Sequence, residues 1–191
     1  MLAGLASCVE QGSDVPKVKS HSSPAEIALV VKAEEPIPPR PSQNALINVC
    51  GENPSLKPDV PGSPGNLIES RINPNGQSEL AHAMRLMLKE LMENRDRLNK
   101  GEKATAASIA THGKIRCAWP TVESMRGGAY EPMARQYLEE VVKYNAGAKG
   151  KVEHNRLVDA CITCHQHTCD GPTIAIDAAR ISVSDLGNGV E

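Results

Sequence analysis

Cys161-Ile162-Thr163-Cys164-His165 is the stretch of this chain whose residue types and spacing most clearly carry chemistry. Two thiols three residues apart, followed at once by an imidazole, share one face of a helix. Two thiols so placed reach the two vinyl groups of one porphyrin while the imidazole reaches its iron, and this spacing reads as covalent haem c attachment, one haem per chain. Two other chemistries use similar spacings. A zinc half-site, with His167 as a further ligand, ordinarily pairs with a second Cys or His cluster, and none is evident in the sequence. A thioredoxin-like redox pair belongs in a β/α context, against the helical periodicity here.

Periodicity supplies the elements that must position these groups. Leu80, Met84, Met87, Leu91 and Leu98 recur at three- and four-residue steps, predicting a helix over about Gln77–Asn99 that stops at Gly101. A weaker helix is expected over Lys103–His112, then an irregular stretch from Gly113 to Gly128 broken by Pro120 and Gly127-Gly128. A third helix begins near Glu131-Pro132 with Met133, Tyr137, Val141 and Tyr144 on its apolar face. The last runs over Lys151–Thr168, with Val152, Leu157, Val158, Cys161 and Cys164 on related faces. Long helices joined by short loops predict an all-α fold, an antiparallel four-helix bundle with some distortion.

The rest of the chain divides by composition. Residues 9–75 hold most of the 14 prolines and read as a disordered, partly extended linker. The haem domain is expected over 76–176 and a C-terminal tail over 177–191. At the start, Leu5-Ala6-Ser7-Cys8 fits the lipobox of a bacterial lipoprotein, so residues 1–8 read as the remnant of a truncated signal with Cys8 the lipidated residue; an accidental Cys is the other reading. No apolar run reaches the roughly 18 residues of a spanning helix. With 21 Lys and Arg against 23 Asp and Glu, no nucleic-acid partner is expected. There is no Phe, one Trp and three Tyr, an aromatic deficit that a buried porphyrin would offset. No catalytic acid–base pair or activated nucleophile stands out, so an enzyme is not expected.

A haem motif at the end of the last bundle helix, with a Met-bearing first helix, resembles the class II cytochromes c of the cytochrome c′ type, over about Gln77 to Ile176. The resemblance is closer to a subgroup ending C-x-x-C-H-x-x-x-C-x-G-P, matched by Cys161, Cys164, His165, Cys169, Gly171 and Pro172. It implies that His165 is the proximal iron ligand and that a first-helix residue faces the other side of the haem. Met84 is the leading candidate there and Met87 the alternative. Arg85 and Arg156 are candidate partners for the haem propionates. His82 and His112 are weaker distal candidates, and His154 lies too far along its helix to share the iron.

Two functions follow from the sixth position. Met ligation predicts an electron carrier; an apolar block predicts a five-coordinate NO- or CO-binding protein. A structural or zinc-binding envelope module is a third, separate reading. Haem c is attached outside the bacterial cytoplasm, so a periplasmic or envelope location is expected, with a redox partner protein, a lipid at Cys8 as the membrane link, and a homodimer as the implied assembly. Of the remaining cysteines, a Cys117–Cys169 disulfide is favoured, with Cys50 the other available partner.

Overall fold

The computed structural model describes residues 49–52, 54–168, 172–182 and 184. The expectations for residues 1–8, for the linker as far as residue 48, and for Cys169 and Gly171 lie outside them. The described chain is all-helical, with α1 (Glu79–Asn99), α2 (Ile109–Gly113), α3 (Tyr130–Ala146), α4 (Lys151–Thr168) and α5 (Thr173–Asp177), and two 3₁₀ turns at Lys114–Arg116 and Glu123–Arg126. No helix among the described residues is long and apolar enough to cross a membrane.

α1 starts where Ser78 caps it, the Ser78 hydroxyl accepting from the Ala81 amide at 3.2 Å. Glu79 in the first turn and Arg97 in the last complement the helix dipole. The helix ends at Gly101, whose φ of +75° is a conformation that costs glycine little. Its 21 residues span about 32 Å at 1.5 Å each. Leu80, Ala83, Met87, Leu91, Asn94 and Leu98 form the buried stripe. α3 presents Tyr130, Ala134, Tyr137, Leu138, Val141 and Tyr144 to the core, and α4 presents Leu157, Val158 and Cys164. Val152, expected on that face, is exposed. α3 and α4 make the most extensive helix pairing; α1 packs on α4 more lightly.

The expected second helix over 103–112 is largely absent, and two side-chain amides explain why. Asn94 Oδ1 accepts from the Thr105 amide at 2.8 Å and its hydroxyl at 2.9 Å, while Asn94 Nδ2 donates to the Thr105 carbonyl at 3.1 Å. Asn145 brackets the Ala107 backbone in the same way, at 2.8 and 3.0 Å. Backbone groups held by side chains are withdrawn from any helical ladder. Helix resumes only at Ile109, after Ser108 caps it. Asn94→Ala removes three of these bonds at once, together with the Asn94 Nδ2 bond to the Tyr144 hydroxyl. We expect it to destabilise the fold by about 2–3 kcal/mol in urea denaturation.

Two expected boundaries move. Composition predicts a linker over residues 9–75, yet the described stretch before α1 is hydrogen-bonded to the body. Ile68 and Gln77 exchange backbone bonds at 2.9 and 2.8 Å, Trp119 Nε1 donates to the Lys57 carbonyl at 2.6 Å, and the Glu79 amide donates to Gly62. Gly62 has φ +93°, and a Cβ there would sit 2.2 Å from the Glu79 nitrogen, so only glycine allows this approach. Prolines 58, 61 and 64 stiffen these turns instead of preventing packing. The tail expected from 177 also packs: Ala179 and Ile181 are buried, and Asn155 exchanges bonds of 2.9 and 2.8 Å with the Ile181 backbone.

Candidate haem-binding cleft

The i, i+3, i+4 spacing on α4 carries Cys161, Cys164 and His165 to one apolar cleft. α1 supplies Met84, Met87, Leu88 and Leu91 opposite them, and Ile115, Tyr137 and Ile176 close it. Cys164 and His165 are buried and Cys161 is half-buried. Burial pushes the Cys161 thiol up to about 12, with the Tyr137 hydrogen bond acting against it and the neighbouring Cys164 adding to it. Burial also lowers the His165 imidazole, favouring the neutral form that ligates iron. Burial raises the Tyr137 hydroxyl well above the ordinary phenol range, so it stays protonated.

The donor set fits haem c: two thiols and an imidazole on one helix, thioethers on the helix facing them, and apolar walls between. The cleft volume is about 40 Å³. A porphyrin therefore requires α1 and α4 to stand further apart, and α1 packs on α4 more lightly than α3 does.

Both candidate methionines line the cleft. Met87 is buried, its sulfur 3.6 Å from the Tyr137 hydroxyl, whereas Met84 is half-buried. Neither candidate arginine reaches the cleft lining. Arg85 lies about 100° round the helix from Met84 and donates to Gln77. Arg156 lines a separate polar groove between α3 and α4 with Glu140, Asp159 and Thr163. His82 contacts Gln77 at 3.2 Å, and exposed His167 bonds the Thr163 carbonyl at 2.8 Å. His112 is fully buried between Tyr137 and Glu90. Periodicity predicts Tyr137 on a core face, and neither Tyr137 nor Glu90 carries a motif.

Cys117 is bonded to Cys50, which corrects the favoured Cys117–Cys169 pairing. The segment carrying Cys50 is seated by Gly113, where a Cβ would meet Val49 Cγ2 at 2.6 Å.

His154 is buried and bonds the Ala179 carbonyl at 2.8 Å. Burial lowers its proton affinity, the Ala179 bond opposing this and Arg95 adding to it. The unfolded chain therefore binds this proton more readily, so the contribution is complete above the ordinary histidine value of about 6.5 and is lost as pH falls below it. Urea midpoints should decline from about pH 7 to pH 5, with a smaller decline in His154→Gln.

Comparison with known proteins finds no matching protein-family model and no matching curated protein or solved structure.

Proposed function

We propose that this chain is a monohaem c-type cytochrome that transfers electrons outside the cytoplasm. One observation carries the reading: the Cys161, Cys164 and His165 side chains of α4 share a single apolar cleft with Met84 and Met87 of α1. Cys161 and Cys164 would hold the haem through thioethers, His165 would be the proximal ligand, and Met84 would take the opposite position. Met84 is preferred because the Met87 sulfur sits against the Tyr137 hydroxyl, at 3.6 Å. Bound haem supplies reversible one-electron chemistry. The chain's own part is to hold it covalently, exclude water with Leu88, Leu91, Ile115 and Ile176, and offer a thioether that favours the reduced state. In this reading α1, α3, α4 and the α2–3₁₀ segment form a distorted four-helix bundle. The chain would be exported, with a lipid at Cys8 and a redox partner protein.

The far-red absorption band of Met–iron ligation tests the assignment. It should be present in the ferric protein, survive Met87→Leu and vanish in Met84→Leu; a band that vanishes only in Met87→Leu would reverse the choice. A second reading is favoured by Leu88 and Leu91, which face the same cleft. If they block the iron, the protein is a five-coordinate gas binder that takes up CO when reduced. A zinc module ranks below both, because among the described residues no three His, Cys, Asp or Glu side chains gather as a metal site.

A further inference from the structure

A buried chain of hydrogen bonds runs from solvent to the cleft. Glu90 on α1 is part-exposed, its carboxylate 3.1 Å from His112 Nε2 and accepting the Ser108 amide at 3.0 Å. His112 is fully buried, and its Nδ1 lies 2.5 Å from the Tyr137 hydroxyl, the two rings stacked with centroids 5.8 Å apart. The Tyr137 hydroxyl in turn lies 3.6 Å from the Met87 sulfur and shares a hydrogen bond with the Cys161 thiol.

Proton counting allows this chain of hydrogen bonds two arrangements. Burial works to raise Glu90, but hydrogen bonds from His112 and Ser108 outweigh it and hold the carboxyl below its ordinary range. Glu90 is therefore an ionised acceptor, and His112 Nε2 must carry a hydrogen. If that is the only ring hydrogen, Nδ1 is bare and accepts the Tyr137 O–H, which is then turned away from the sulfur. A second ring hydrogen reverses the bond. Nδ1–H donates to the Tyr137 oxygen, and the phenol hydrogen turns to the sulfur atoms at the cleft.

We propose that His112 is a proton-uptake site coupled to the cleft, with Tyr137 a positioning residue that passes the imidazole's protonation state to the Met87 sulfur. The redox consequence rests on the cytochrome reading above. Were haem held in the cleft, it would accept one electron from the redox partner, and His112 would take one proton from water through Glu90. No covalent bond to carbon forms or breaks, and the added charges offset one another. The groups facing His112 are few: Glu90 from α1, Tyr137 from α3, and the Cys161 and Cys164 thiols of α4 beyond Tyr137. Nearby, Arg116 is engaged with Glu131 at 2.9 Å and Lys114 with Glu79 at 3.1 Å.

The test is an NMR titration of the full chain, kept ferrous where it carries haem, following the His112 ring nitrogens and the Met87 methyl carbon. In the wild type both signals should move with one shared inflection. In Tyr137→Phe, which keeps the stacked ring, His112 should still titrate while Met87 becomes flat. Glu90→Gln should shift the His112 inflection to lower pH. A His112 ring that keeps one tautomer throughout would overturn the proposal, as would a Met87 signal that ignores His112 or follows it equally in Tyr137→Phe. With haem bound, the reduction potential should fall as pH rises through the same inflection, and a potential flat with pH overturns the redox linkage. A chain without haem would defeat the cytochrome reading, leaving the NMR coupling to decide the proton site alone.

Discussion

Replacing Cys161 and Cys164 together with serine is expected to reduce covalently held haem from one per chain to none, while the helical circular dichroism is largely kept. Serine matches cysteine in shape but has no sulfur to add across a vinyl group. His165 and the cleft methionines would remain, so any haem still bound would be extractable by denaturation. An unbonded hydroxyl in the apolar cleft would cost about 1–3 kcal/mol, but Tyr137 beside Cys161 and Thr168 beside Cys164 offer each serine a partner, so the cost to the fold should be modest. Single variants should retain one thioether and an altered spectrum. The measurement is haem absorbance on the chain after denaturing electrophoresis. Equal retention by the double variant would remove α4 as the attachment site.

Breaking the Cys50–Cys117 disulfide is expected to have the largest effect on stability. The bridge closes a loop across a sequence separation of 67 residues that includes all of α1. Loop-closure entropy for that length corresponds to about 4 kcal/mol. That is a large share of a small domain's typical stability of about 5–15 kcal/mol. Urea denaturation with and without reductant measures it, and Cys50→Ser should reproduce the reduced protein. A difference below about 1 kcal/mol would mean that the bridge closes a loop already held by packing alone. A disulfide of this kind suits an oxidising compartment, which supports the proposed export.

The elements closest to the chemistry were also the most legible. α4 follows the expected Lys151–Thr168 span, and α1 differs from expectation by two residues at its start, where the Ser78 cap decides the boundary. Both have strong apolar periodicity and clear stops, so local sequence and tertiary packing agree. The crossover between α1 and α3 was not legible, because its conformation is imposed by Asn94 and Asn145, two polar residues on distant helices. The packed stretch before α1 was hidden for a related reason. Its prolines exclude helix, but they are compatible with turns held by Gly62 and Trp119. Disulfide partners cannot be chosen from spacing alone, and here a missing Cβ at Gly113 makes room for the segment bearing Cys50.

The cleft itself was half legible. The motif named three of its lining side chains, and the α1 stripe named Met84, Met87 and Leu91. Tyr137 read as core, and nothing in the sequence tied it to His112, which lies 25 residues earlier, or to Glu90. Their meeting depends on how α1, α2 and α3 converge, a tertiary fact with no local pattern. The candidate arginines failed for the opposite reason: their charge was visible, but their angular position on α1 and α4 takes them away from the cleft.

The central claim is most directly tested by the intact mass of the denatured chain, purified from cells that attach haem c outside the cytoplasm and export this protein with a cleavable leader. The expected result is the chain mass plus one haem, with the added mass on the peptide bearing Cys161 and Cys164. A bare chain mass, from cells in which another c-type cytochrome is fully loaded, would contradict it.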